Sequence, residues 1–520
     1  MQADRNALTR DSLGFSFLSA LTVVSNAAVN VSIAIRFGAG HEADAFFLAY
    51  TIPGIVAGML ATTMPVVLIP AFVHLGEKHS LAVARRIIST IGAGGLVLWI
   101  IVSCAGMAGG SLYVKALTPS SPADAQRLAV QIGQWMFAMV PLAWLSEFLR
   151  ALLNSQRRFL LPLAGGSLAN LLAIGLILGL GKRTGIIVAG PGFVLKTLLQ
   201  AAVSAWGLRW MAKDVWPLLT ADYRRLVWPV FRGLAIRFGG ALLRETNVTV
   251  ERFWSANLGT GLLSALSYAQ TGANLWSNIL SASVATVLLP ALSHAAGRRQ
   301  DETRNATTDA LRLSVFLTAP AAAIGIVLSR PICDVIFGFS DTSSASLALV
   351  SKLLAIYTLR VPTLSLISVL LAPFYASEDV WTPVKHMTLM LGVNLALDVL
   401  LFPLLGIYGF PTAALLTDLV SVARATWLQW RIGIRHPFRD LGRDFAIMLG
   451  GAGLTVLVAL TAYRAQAHVI GTGMIGRLIT LGVASLVGGV VYLLAMRVTG
   501  IPEAEAVTAI VRQRLRAWRP

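Results

Sequence analysis

The chain has 520 residues, of which 56% are hydrophobic and only 13% charged, with a mean hydropathy of +0.72; an average soluble domain is about 25% charged. This balance excludes a water-soluble globular protein. The formal net charge of +18 does not point to nucleic acid, because Lys and Arg sort into alternate loops, as the positive-inside rule requires.

Apolar runs of about 20 residues, each able to cross a hydrocarbon core of roughly 30 Å, recur along the whole length. They are continuous, unlike the short alternating segments of a transmembrane barrel, so the fold class is an all-α polytopic membrane protein. Helix one is predicted over 14–36, after the short polar start MQADRNALTRDS, which has no cleavage pattern and reads as no removable signal. Helix two, 45–72, contains Pro53, Gly54, Gly58 and Pro65, residues that bend helices lining a cavity or allow close packing. Helices three to six follow at 87–109, 129–150, 159–180 and 185–208, with Lys196 inside the sixth.

Helix seven, 229–256, is the most highly charged. Arg237, Arg244 and Glu251 recur every seven residues, and Glu245 and Arg252 form an adjacent stripe about 100° round the helix. An ionisable group at the bilayer centre costs at least about 2.5 kcal/mol and needs a partner or a wet cavity. Arg244 and Glu245 lie near the middle and read as cavity residues; Arg237, Glu251 and Arg252 share their sector and either join them, Glu251 and Arg252 as substrate-binding candidates, or snorkel from the ends. Helix eight spans 262–288 and contains Gly272; helices nine to fourteen are predicted at 311–330, 348–376, 384–404, 407–430, 445–463 and 473–497. Arg360 falls in helix ten, Asp398 in helix eleven, and Asp418 and Arg424 in helix twelve. Asn394 and Asp398, four residues apart, share a helix face and offer two oxygens to a small hard cation or a proton, or else a carboxylate bonded between helices. The basic tail, Arg512 to Arg519, reads as a headgroup contact or a topology anchor.

An internal repeat organises these helices. VVLIPAFVHLG at 66–76 returns as TVLLPALSHAA at 286–296, and LNSQRRFLLP, ending at Pro162, has the shape of FYASEDVWTP, ending at Pro383. Two matches at offsets of about 220 indicate a duplication. The expected architecture is therefore about fourteen transmembrane helices: two pseudo-symmetric six-helix bundles, residues 1–225 and 226–440, and a C-terminal pair with its tail, 441–520. The matched prolines are expected to end helices two and eight and to open helices five and eleven.

Two six-helix halves around a central path suit alternating access. The external loops are short, and the chain carries no Walker sequence, dinucleotide fingerprint or HExxH pair, so an enzyme is not expected. Cys104 and Cys333 have no metal or disulfide spacing. All seven histidines, including His386 and His436, fall in loops or at predicted helix ends and read as solvated.

The stretches FGAGHEADAFFLAY from Phe37, VLIPAF from Val67, LLNSQRRFLLP from Leu152, TVLLPALSH from Thr286 and LAPFYASEDVWTPVK from Leu371 resemble the MurJ (MviN) lipid II flippase family of the multidrug/oligosaccharidyl-lipid/polysaccharide exporter superfamily. The resemblance covers helices one to twelve. It implies a flippase of the bacterial inner membrane, with both termini cytoplasmic, that moves an undecaprenyl-diphosphate-linked glycan to the periplasmic leaflet. It implies no catalytic cofactor, Na⁺ or H⁺ as coupling ion, and as partners membrane lipids and the glycan-biosynthesis enzymes that deliver substrate. Asn394 and Asp398 then match the family's helix-eleven ligand pair, Glu245 or Asn247 stands for the helix-seven ligand, Thr412 for the helix-twelve ligand, and Asp44 for an acidic position after helix one.

The chain departs from that family in its cavity arginines: helix one carries no charge between Asp11 and Arg36, helix two none between Asp44 and Glu77, and helix eight none between Arg252 and Arg298. Substrate contact is expected instead from Arg244, supported by Arg360 or Lys196. Fewer fixed cations also suit a less acidic head group, such as an exopolysaccharide or O-antigen repeat unit. A drug/cation antiporter of the same superfamily would need an acidic, aromatic cavity, against the near balance of Arg244 and Glu245.

Overall fold

A computed structural model describes residues 2–78, 81–119, 123–209, 221–275, 277, 300–337, 344–377, 379, 381–467, 473–505 and 507–508. Among them the regular structure is helical: α1 Gln2–Phe37, α2 His41–Lys78, α3 Leu81–Ala108, α4 Gly110–Leu117, α5 Ala123–Ser155, α6 Leu160–Thr184, α7 Ala189–Gly207 and α8 Ala221–Leu258. Then come α9 over 262–275, α10 Gln300–Val327, α11 Ser329–Phe337, α12 Ser344–Thr358, α13 Arg360–Ala376, α14 Trp381–Leu405, α15 Gly409–Arg431, α16 Phe438–Ala467 and α17 Met474–Val498. The chain divides into two compact units, residues 1–267 and 268–520.

Ten segments among the described residues are long and apolar enough to cross a membrane. Two of them, Leu160–Gly207 and Trp381–Arg431, each hold two predicted spans joined by a 3₁₀ turn, Gly185–Val188 or Gly406–Tyr408. The chain is a multi-pass membrane protein. α8 is not among the ten because Arg232, Arg237, Arg244, Glu245, Glu251 and Arg252 make it too polar.

The duplication reappears in the backbone. Ala123–Ser155 returns as Ser344–Ala376, Leu160–Thr184 as Trp381–Leu405, and the left-handed Gly185 (φ 64°) as Gly406 (φ 57°), each 221 residues on. The loop Gly38-Ala39-Gly40 likewise returns as Gly259-Thr260-Gly261. Pro162 and Pro383 lie in the first turns of α6 and α14 as expected, where a missing N–H costs nothing. Pro70 does not end its helix, because α2 continues to Lys78; its counterpart Pro290 lies outside the described residues.

In the first unit, α2 and α5 pack side by side, with α3 and α7 against α5 and α6 against α1 and α7. Small residues set the spacing. Trp144 of α5 is 1% exposed, lies over Gly95 of α3 as Phe148 lies over Gly92, and donates its Nε1–H to the Gly92 carbonyl at 3.1 Å. In the second unit, α16 packs on α17 and α10, and α14 on α15. Phe316, Met448, Tyr492 and Met496 form the cluster that joins the C-terminal pair to α10.

Candidate functional site

Four groups of polar side chains lie within the apolar helices. The first is the corner where α1 turns into α2. The left-handed Gly38 follows α1, and Asp44 follows in the first turn of α2. The repeated corner, Gly259 to Gly261, lies against it: a Cβ on Gly261 would meet the Ala39 carbonyl oxygen at 2.9 Å. The Asp44 carboxylate accepts the backbone N–H groups of Gly261 and, at 2.7 Å, of Ser264. These are otherwise unpartnered donors at the start of α9, so Asp44 acts as its N-cap from another helix, and its negative charge complements the positive end of the helix dipole. A cleft beside this contact is lined by His41, Asp44, Thr118, Gln126, Asn257 and Thr260. Asn257 closes one side by donating to the Leu117 carbonyl at 2.7 Å.

The second group surrounds Lys196, near the middle of α7. Its ammonium lies 3.4 Å from Asn26 Oδ1 of α1 and 5.2 Å above the Phe193 ring. Phe193 packs on Phe46 and Tyr50 of α2 at 5.5 and 5.3 Å. An amide oxygen and an aromatic face orient a cation without neutralising it.

The third is on α8. Glu251 is buried and accepts the Asn247 amide at 3.2 Å. Tyr50, Glu245 and Glu251 all lie within electrostatic reach of Arg252. Arg237 is exposed. The backbone of Arg244 lies in α8, but its side chain is outside the described residues, so its expected role has no geometry here.

The fourth is in the second unit. Arg360 Nε donates to Asp418 Oδ2 at 2.7 Å and Thr363 lies 3.5 Å from the same oxygen; this arginine is engaged in an ion pair. Asn394 and Asp398 are 6% and 1% exposed on one face of α14, in line with Met390 and His386. The Thr412 hydroxyl donates to the Tyr408 carbonyl, 2.8 Å away.

His386 corrects the sequence reading: it is 1% exposed, with Nε2 2.7 Å from Ser421 Oγ, because α14 starts at Trp381 and buries its first turns against α15. His436 is also buried, held by Thr308 at 2.9 Å and by Gln429. His41 and His74 are exposed as expected, and His79, His294 and His468 lie outside the described residues. Sequence reasoning missed Asn26, which carries no charge, and the pair of Glu147 and Arg150 in α5, whose i,i+3 spacing was the available signal.

The family model described as "Lipid II flippase MurJ" matches residues 33–484. Over 452 residues the chain is 27% identical to the probable lipid II flippase MurJ of Rhizobium meliloti (strain 1021), covering 83% of this chain and 81% of that one. It is 25% identical over 409 residues to the lipid II flippase MurJ of Burkholderia cenocepacia, covering 76% and 78%. A solved structure of lipid II flippase MurJ in an inward closed conformation superposes with a TM-score of 0.76 at 20% identity, covering 93% of this chain and 98% of that one. An inward-facing multidrug resistance MATE transporter of the MOP superfamily superposes at 0.64 and 14% identity, covering 81% and 96%.

Proposed function

Since the chain belongs to the lipid II flippase MurJ family, whose model matches residues 33–484, we propose that it translocates a polyprenyl-diphosphate-linked cell-envelope glycan, lipid II foremost, from the cytoplasmic to the periplasmic leaflet. It is a transporter, not an enzyme. The observation that carries the substrate chemistry is Lys196, an ammonium halfway along an apolar helix that, among the described residues, meets an amide oxygen and a ring but no carboxylate within salt-bridge distance. A diphosphate supplies the missing counter-charge, in a setting where charge-assisted bonds are strong. Arg244 and Arg252 add cationic charge from α8, while Arg360 is held by Asp418 and serves structure first.

Fourteen crossings in two pseudo-symmetric six-helix bundles with a C-terminal pair, an inner-membrane location and cytoplasmic termini complete the reading. The repeated helix boundaries and the tail-side arginines support it. Asp44 then fastens one mouth of the path by capping α9, and the mouth opens when those bonds break. The buried pair Asn394 and Asp398 is the place for a coupling Na⁺ or H⁺, which biases the cycle through its different affinity for the two conformations. The absence of charge between Asp11 and Arg36 and between Asp44 and Glu77 favours a second reading within the same chemistry, a less acidic repeat unit in place of lipid II.

The test is rescue of cells depleted of their essential lipid II flippase, paired with flipping of labelled lipid II in proteoliposomes. Growth and flipping support lipid II. Flipping of a diphosphate-linked neutral oligosaccharide without either moves the assignment to the second reading. Inertness toward both, with the protein inserted, overturns the proposal. Lys196→Met is expected to reduce flipping at least tenfold and to raise the half-saturating substrate concentration.

A further inference from the structure

Proline inside a helix leaves the carbonyl four residues earlier without its N–H partner, and within a membrane that carbonyl needs another donor. In the first unit three such carbonyls are met by side chains from neighbouring helices. Pro53 frees Ala49, which accepts the Tyr113 hydroxyl of α4 at 3.2 Å. Pro141 frees Phe137, which accepts Ser103 of α3 at 2.7 Å. Pro65 frees Ala61, which accepts Arg150 Nη2 of α5 at 3.0 Å.

The third differs from the others. Tyr113 and Ser103 show that a neutral hydroxyl satisfies such a carbonyl, yet at Pro65 the donor is a guanidinium that needs Glu147 beside it as counter-ion. Both charged side chains are largely buried, at 26% and 10% exposure, in α5, a helix long and apolar enough to span the membrane. Bringing an ion pair there is unfavourable unless its bonds do something a hydroxyl cannot. A charged donor bonds a carbonyl more strongly than a neutral one, and the long arginine side chain keeps that bond as the helix flexes.

We infer that Arg150 is a positioning residue for transport: held by Glu147, it fixes the bend of α2 at Pro65 through the Ala61 carbonyl. The same helix carries Asp44 at its other end, so the bend sets where the α9 cap is presented. Arg150 acts on α2 and not on substrate. The transport arm of the test rests on the flippase reading, and the unfolding arm does not.

The experiment is a double-substitution cycle on the full chain. Pro65→Ala returns a backbone donor to the Ala61 carbonyl, so it should make Arg150 dispensable. Arg150→Met alone is expected to lower the maximal flipping rate at least fivefold, leave the half-saturating lipid II concentration unchanged, and lower the unfolding temperature in detergent. Arg150→Lys, which retains a charged donor, should recover much of both. In the Pro65→Ala background Arg150→Met should change neither rate nor unfolding temperature. If Arg150→Met fails to insert, insertion is expected to return in the Pro65→Ala background. Equal losses in both backgrounds, no loss in either, insertion that stays lost, or a raised half-saturating concentration would overturn the inference. If no lipid-linked substrate is flipped but the unfolding arm behaves as described, the flippase reading fails and the clamp stands.

Discussion

At Gly95 the backbone of α3 comes so close to Trp144 that an added Cβ would lie 1.8 Å from the indole ring. The ring is fully buried and tied to the Gly92 carbonyl, so it has nowhere to go. Gly95→Ala should therefore destabilise the first unit by about 1 to 3 kcal/mol, in the range of core overpacking, and thermal unfolding in detergent would read it. Gly58, where nothing lies within 4 Å, should accept Ala with little effect, and a comparable loss there would refute the packing argument. At this scale the sequence was only partly legible. Lys196, Arg360 and Asp418 were visible as charges in apolar runs. That Arg360 pairs with Asp418, and that Asn26 reaches Lys196, depends on which helices touch, which no spacing along one helix reveals. His386 was misread because the predicted span began three residues after the helix does, which placed a buried side chain at the helix end and had it read as solvated.

Helix boundaries were more legible, because prolines and glycines mark them by covalent geometry. The 3₁₀ turns at Gly185 and Gly406 make this testable. Both glycines are left-handed, at φ 64° and 57°, and neither would bring a new Cβ within 3.4 Å of another atom. The penalty for Ala is then conformational alone, about 1 to 3 kcal/mol for a backbone such as that of Gly185, whose ψ of −166° lies where glycine is nearly the sole residue found, and should be nearly equal at the two sites. Clearly unequal losses in unfolding temperature would show that the repeated turns are not equivalent.

A second element-scale prediction concerns the loop between α15 and α16. His436 joins α10 through Thr308 and α15 through Gln429. Gln429 donates to the Leu370 carbonyl at 2.7 Å, which turns its oxygen toward His436 Nε2 and makes that nitrogen a donor. Burial, and secondarily the charge of Arg304, hold this imidazole below its usual pKa of 6.5. A histidine that protonates more readily unfolded than folded adds stability that is complete above about pH 6.5 and falls as the pH drops through the folded value. The unfolding temperature should thus decline below pH 6.5, and His436→Gln should flatten that decline. An unchanged pH profile in the variant would exclude His436 as its source.

For the whole molecule, the sequence disclosed the duplication, the membrane class and the family resemblance, since all three are spread over hundreds of residues and survive local errors. The contact between the two repeated corners was not legible: Asp44 bonds Gly261, 217 residues later, at the start of the helix it caps, and only the folded chain brings them together. If opening that mouth breaks both backbone bonds to the carboxylate, each worth about 1.5 to 3 kcal/mol net, then Asp44→Ala should move the equilibrium toward the open form by more than tenfold, since 1.4 kcal/mol is a factor of ten. Thr118, 2% exposed in the wall of the adjacent cleft, offers a reporter: with Cys104 and Cys333 replaced by Ser, a Thr118→Cys chain should label slowly with a membrane-impermeant maleimide and at least tenfold faster when Asp44→Ala is added. Flipping should fall at the same time, because a mouth that no longer closes abolishes the alternation between two conformations that transport requires. Faster labelling with unchanged flipping would leave Asp44 as a cap only, and unchanged labelling would mean that the mouth is held elsewhere.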